Sequence, residues 1–361
     1  MKKNIDYILL FTIIILSLFG IVMVYSASNV VALEKYQDSL YFFKRQSLFL
    51  SISYFIMYFI IKYDINKLEK KVSIIFILCS FLLLIVLIPG IGVIRGGAQS
   101  WISILGFSIQ PSEFMKIGLI LLYAKYLKDN YKGIKKLKNF IMLFSVAIII
   151  FLIIMMQPDF GTGLVIILSA LILLFISGVP IKYYLSILIV GILGIIVLIL
   201  SAPYRIERIL AFINPWNDPL GSGFQGIQSL FAITPGGLLG HGFNKSIQKH
   251  FFLPEPQNDF IFAIILEEFG LIGGLIVLFL YFIIIYRGIK VSIHTNNNFL
   301  KFLSLGIVIS LAVQVIINVC VVIGLLPVTG ITLPLFSYGG SSLLLTIISL
   351  SILVSISKYQ E

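Results

Sequence analysis

FFLPEPQNDFIFAIILEEFGLIGG, residues Phe251 to Gly274, carries a polar, proline-rich approach into an apolar run. An acid, Asp259, stands where the run begins, and Glu267 and Glu268 lie inside it. A charge at the centre of a bilayer costs roughly 2.5 to 3.5 kcal/mol on insertion scales, so such residues face a protein interior or a water-filled cavity. Three carboxylates in one membrane-length segment therefore mark a functional path, and the other apolar runs read as its housing.

The whole chain supports that frame. Hydrophobic residues make up 59% of its 361 positions and charged residues 11%, against about 45 to 50% and 25% for soluble domains. The expected fold is an all-α, polytopic integral membrane protein forming one domain over residues 1–361. The opening MKKNIDYILLFTIIILSLFGIVMVYSAS has an apolar stretch longer than the 7 to 15 residues or so of a signal peptide; it reads as a retained first helix. Cys79 and Cys320 both fall in apolar runs and read as small buried hydrophobes.

Ten runs approach or exceed the roughly 17 residues needed to span: Asp6–Ala27, Gln46–Ile61, Val72–Ile88, Pro111–Leu127, Phe140–Met156, Phe160–Ser177, Tyr183–Ser201, Phe260–Tyr286, Phe299–Gly324 and Leu335–Ile356. An even number puts both termini on one side. With that arrangement 17 of the 26 basic residues fall on the terminal side and 8 opposite, which places the termini in the cytoplasm. The net charge of +11 is thus a topology signal and no argument for nucleic acid. Between the seventh and eighth helices the loop 202–258 is then extracellular, and it is too long for a passive connector. SAPYRIERILAFINPW reads as an interfacial helix, and GSGFQGIQSLFAITPGG sets Phe224, Ile227, Leu230 and Phe231 on one helical face. A packing lid without a substrate role would look the same.

The polar helix starts gather at the outer level. Asp259 is placed as a general base at a water-accessible rim, although Asn258 and Asp259 are also ordinary helix N-caps. At 100° per residue Glu267 lies about 80° and Glu268 about 180° around the helix from Asp259, so all three cannot face one cavity, and structural roles are expected for the two glutamates. QPSEFMK opens the fourth helix with Glu113 and Lys116 at an ion-pair spacing. QPDFGTG opens the sixth with Asp159, and SYGGSS opens the last with Ser341 and Ser342. Arg205, Arg208, Lys245 and Lys249 would set positive charge around an anionic lipid headgroup. No metal site is expected, because His241, His250 and His294 are isolated from one another and from cysteine. GGLLGHG follows no strand and is not a nucleotide loop.

QPSE, QPDFGTG, NPWNDPLGSGFQGIQSLFAITPGG, LPEPQNDFIFAIILEEFG and GLLPVTGITLPLFSYGGSS, in this order over nearly the whole chain, resemble the SEDS family of shape, elongation, division and sporulation proteins. The likeness is greater to its division and sporulation branch than to its rod-shape branch. The resemblance implies ten membrane helices and polymerisation of lipid II into peptidoglycan glycan strands, in complex with a class B penicillin-binding protein. It maps the catalytic acid onto Asp259 and cavity-lining positions onto Glu113, Lys116 and Asp159. The residue before the acid is commonly threonine in the family and is Asn258 here. Loop arginines and lysines, or a divalent cation such as magnesium or manganese, would carry the charge of the leaving diphosphate. A lipid II flippase and a non-catalytic scaffold for a synthase are the competing readings.

Overall fold

The computed structural model describes residues 4–360 except 96, 105–106, 131–132, 186, 188–190, 192–193 and 195–202. The helices are α1 (Tyr7–Tyr36), α2 (Tyr41–Lys62), α3 (Val72–Ile85), α4 (Pro111–Asn130), α5 (Leu137–Met155), α6 (Phe160–Ile176), α7 (Pro203–Ile213), α8 (Phe224–Gly236), α9 (Ile261–Ile293), α10 (Asn298–Val322) and α11 (Gly340–Ile356). Of these, α1, α5, α9, α10 and the last helix, carried on to Tyr359, are long and apolar enough to cross a membrane, and α6 is a shorter apolar helix. The run expected as a seventh span falls mostly outside the described residues; its beginning, 181–185, is helical.

The core runs through α10, whose described neighbours on several sides are α4, α6 and α9. Its Leu300, Leu303 and Val322 are fully enclosed, and it also keeps Gln314 and Asn318 buried. The outer helices differ in kind. On α5 and α9, Ile149, Leu152, Phe279 and Phe282 remain exposed, an apolar surface suited to hydrocarbon and unsuited to water.

An all-helical chain is not what forms. Between α3 and α4 lie three antiparallel strands, β1 (Gly92–Arg95), β2 (Ala98–Ile104) and β3 (Phe107–Ile109), in the order β1-β2-β3. Arg95 pairs with Ala98 and Ile104 with Phe107, so each connection holds two residues, the length that favours tight hairpins. The segment offers no long apolar period, and Gly97, at φ 82°, takes a left-handed backbone that no helix holds. The third strand ends directly before Gln110 and delivers it to the start of α4.

The eighth apolar run also departs from a single straight helix. α9 is broken at Gly270, whose backbone has φ 64° and ψ −167°. The groups this break releases are taken up by the segment 237–242: Leu271 N–H and Ile272 N–H donate to the carbonyls of Gly237 and Leu238, and those of His241 and Gly242 donate to Glu267 and Glu268. Only glycine fits this contact, since a Cβ on Gly270 would come within 2.4 Å of Leu238 backbone and one on Gly240 within 2.2 Å of the Glu268 carbonyl. GGLLGHG is therefore the seal on a broken membrane helix.

In α8 the inward residues are Ile227, Ala232 and Gly236, while Leu230 and Phe231 are exposed. The face Phe224–Ile227–Leu230–Phe231 thus divides, because Phe231 turns out toward the Trp216 ring, 6.0 Å away.

Both ends of the chain meet at one pole. Asp6 N–H donates to Ser357 Oγ at 2.9 Å and Arg287 pairs with the Asp6 carboxylate at 2.7 Å. Tyr359 donates to Asp64 and Asn297 to Asn66 at the same end.

Candidate functional site at the polar end of the helices

The opposite pole collects the polar helix starts. Asp259 is half-buried and stands one residue before Phe260, the N-cap of α9. Its approach is held in a backbone form that L-residues rarely adopt, with Phe251 at φ 67° and Glu255 at φ 45°. Neighbouring elements pin it in turn. Tyr338 N–H donates to the Gln257 carbonyl at 2.8 Å, and Asn318 Nδ2 donates to the carbonyls of Asp259 at 2.8 Å and Ile331 at 2.7 Å. One amide on α10 therefore ties the acid's backbone to the loop that precedes α11.

One turn away on the same face of α10, about 6 Å along the axis, Gln314 repeats the arrangement. Its Oε1 accepts from Lys116 Nζ at 2.7 Å and its Nε2 donates to the Thr332 carbonyl at 3.0 Å. Lys116 also pairs with Glu113 at 2.9 Å, both side chains nearly buried. Glu113, Lys116, Gln314, Ser310, Thr346 and Ser349 give the polar lining of a cavity between α4, α10 and α11 that holds about 410 Å³ of empty space, part of it open to the surroundings.

Asp159 caps α6 by accepting from Thr162 N–H at 3.1 Å. Its second oxygen accepts from Gln110 Nε2 at 2.8 Å, and Gln110 N–H donates to Ser341 Oγ at 3.3 Å. Burial pushes the Asp159 carboxyl above the usual range, its bonds to Thr162 and Gln110 pull the other way, and the Glu113 charge adds to the rise. Gly161 lies so near the Thr329 carbonyl that a Cβ would come within 2.6 Å of it, which fits α6 against the same loop that Asn318 holds. Ser342 is buried in the first turn of α11 beside Ser341.

Of the basic residues expected around a headgroup, Lys249 is placed elsewhere. It is 2% exposed, lies 3.5 Å from Glu268 and donates to the Asn244 carbonyl at 2.8 Å. Burial lowers its ammonium pKa, and Glu268, with a smaller pull from Glu267, opposes that shift. Ser26 donates to Glu268 at 2.6 Å, while the N–H groups of Ile247 and Gln248 donate to Glu267 at 2.7 and 3.3 Å. Both glutamates thus fasten the segment 246–249 to α9, well inside the protein. Lys245 is exposed. Arg205 and Arg208 fall on α7, and their side chains lie outside the described residues. Among the described residues, no three His, Cys, Asp or Glu gather to hold a metal.

Gln110, Gln257, Gln314 and Asn318 join the site although none carries a charge that would mark it in the sequence. Two amides four residues apart in the otherwise apolar α10 were the available signal, by the rule that exposed Glu267 and Glu268 to notice.

A bundle of apolar helices that encloses amides, acids and lysines in hydrogen bonds and ion pairs defines a multi-pass membrane protein, with a candidate site where the polar helix starts meet. The chain belongs to the FtsW/RodA/SpoVE family, whose model, described as cell cycle protein, matches residues 7–361. It is 46% identical to stage V sporulation protein E of Bacillus subtilis (strain 168) over 361 residues, 100% of this chain and 99% of that protein. It is 38% identical to a probable peptidoglycan glycosyltransferase FtsW of Geobacter sp. (strain M18), covering 98% of this chain and 96% of the relative. Among solved structures, a chain of a peptidoglycan synthase complex that coordinates polymerisation and crosslinking superposes with a TM-score of 0.79 at 27% identity, 99% of each chain being covered. Rod shape determining protein RodA of Thermus thermophilus gives 0.69 at 25% identity over 99% of this chain and 98% of its own.

Proposed function

We propose that this chain is a peptidoglycan glycosyltransferase that polymerises lipid II, with Asp259 as general base. The observation that carries the proposal is the way Asn318 on α10 ties the Asp259 backbone to Ile331 of the 325–339 loop, holding one half-buried carboxylate at the start of α9 in a family that includes relatives named for this reaction.

In the reaction the C4 hydroxyl oxygen of the acceptor sugar attacks the anomeric carbon of the donor. A new C–O bond forms, the bond to undecaprenyl diphosphate breaks with inversion, and the hydroxyl proton passes to Asp259. A diphosphate leaves without a proton donor when its charge is stabilised. Lys245, Arg205 and Arg208 are the loop cations assigned to that task, because Lys249 is engaged by Glu268. Glu113 and Lys116, which line the cavity between α4, α10 and α11, and Asp159, held by Gln110, are assigned to substrate positioning. Among the described residues, no three His, Cys, Asp or Glu side chains come together as a set for a resident cation.

The same reading has ten spans, termini in the cytoplasm, loop 202–258 outside, and the whole chain as one domain. The synthase-complex likeness supports a class B penicillin-binding protein as partner. General-base catalysis contributes about 10² to 10⁴ in rate, so Asp259→Asn should lower chain formation from purified lipid II by at least that factor. Wild-type polymerisation by a folded Asp259→Asn protein would remove the assignment. Translocation of labelled lipid II in liposomes, lost in that variant while polymerisation survived, would instead make the protein a flippase; equal complementation by Asp259→Ala in cells would make it a scaffold.

A further inference from the structure

Among the described residues, eleven buried side-chain polar atoms make no hydrogen bond, and four of them belong to Asn318 and to the two stretches it ties together: Gln257 Oε1, Asn258 Oδ1, Asn318 Oδ1 and Thr329 Oγ1. Gln257 and Asn258 immediately precede Asp259. Asn318 has given its Nδ2 hydrogens to the Asp259 and Ile331 carbonyls, and Thr329 lies two residues before Ile331. Asn318 is 1% and Gln257 4% exposed. Buried polar groups are nearly always satisfied, so a local set of idle ones calls for a partner.

The kind of partner follows from the atoms. Three of the four are amide carbonyl oxygens, which only accept, and the fourth is a hydroxyl that does either. Asn318 is fixed in orientation by the two carbonyls that take its N–H groups, so its Oδ1 cannot be exchanged for the amide nitrogen without placing two acceptors against each other. Such a wall binds donors: sugar hydroxyls and amide N–H groups. It does not attract a phosphate, whose oxygens are themselves acceptors.

We infer that Gln257 and Asn318, with Thr329 of the 325–339 loop, form the acceptor-saccharide subsite beside Asp259, and that Asn318 has a second task of positioning the acid. The inference rests on the glycosyltransferase reading and deepens it, since it names which substrate group meets which residue. The donor's diphosphate then lies away from this wall, toward the loop cations.

The test is steady-state polymerisation of purified lipid II by the full chain with its cognate penicillin-binding protein. Wild type is compared with Gln257→Met, which keeps the length and removes the acceptor, and Gln257→Glu, which restores an acceptor. An unmade hydrogen bond in a buried site weakens binding about tenfold or more. Gln257→Met should therefore raise the apparent KM for lipid II about tenfold with kcat changed by less than about threefold, and Gln257→Glu should recover most of the loss. Asn318→Asp retains Oδ1 and loses both donors to backbone, so it should lower kcat more than it raises KM. If Gln257→Met does not elute as a monodisperse species, Thr329→Val probes the loop's share of the subsite by the same KM readout. A wild-type KM in the folded acceptor-removing variant overturns the subsite, as does a KM rise that Gln257→Glu fails to reverse. A wild type that makes no chains refutes the glycosyltransferase reading itself, which separates the two failures.

Discussion

Glu268 shows what a buried acid does when it is not the reactive one. It receives Ser26 and Lys249 in a site where its own side chain is fully enclosed and that of Lys249 is 2% exposed. Removing one partner of such a pair leaves an uncompensated charge and costs about 3 to 5 kcal/mol, while replacing both by apolar groups costs far less. Lys249→Met and Glu268→Leu should each lower the unfolding temperature in detergent markedly, and the double variant should fall well short of the sum. Additive losses in that cycle would mean that the two charges do not act as a pair. Asp259 differs in kind: it is half-buried, and its backbone carbonyl is held by another helix. In the sequence, angle and depth along the helix are all that separates the acids. Their partners were not legible, since Ser26 and Glu268 are brought together across 242 positions of chain.

Helices in this protein are positioned by where they break and what they meet there. α9 turns at Gly270 with positive φ, and two of its freed carbonyls and two of its freed N–H groups are bonded by 237–242. Gly270→Ala combines a left-handed backbone with a Cβ 2.4 Å from Leu238, so it should destabilise by well over the roughly 1 kcal/mol of an ordinary glycine replacement in a helix. The loss should appear as a lower melting temperature together with faster proteolysis within 236–250. A melting temperature equal to wild type would mean that the segment is not sealed to the break. The sheet 92–109 is the other element that helical periodicity passed over. Its strands are short and its turns hold two residues, so a search for apolar runs of membrane length steps across it. Its use is local: it sets Gln110, and through it Asp159 and Ser341, at the mouth of the site.

At the scale of the molecule, polar groups are sorted to two poles with apolar helices between. Asp6, Arg287, Asp64, Asn297, Ser357 and Tyr359 meet at one, and Asp259, Gln110, Asp159 and Ser341 lie at the other. With the excess of basic residues on the first pole, a single cysteine at Lys245, in a background where Cys79 and Cys320 are replaced, should react with an impermeant thiol reagent added to intact cells. One at Lys358 should react only after the membrane is opened. The reverse pattern would invert the orientation and with it the glycosyltransferase site.

Composition and run length by themselves determined a polytopic membrane chain, because a hydrocarbon solvent imposes length and apolarity on every helix that crosses it. Five ordered motifs determined the family. Only the tertiary structure decided which polar residues act together. Lys249 went to Glu268, Lys116 to Gln314 and Glu113, and Asn318 to the Asp259 carbonyl. The physical reason is that a buried polar group must find its partner wherever the packing of helices brings one within about 3 Å, and that distance bears no relation to separation along the chain.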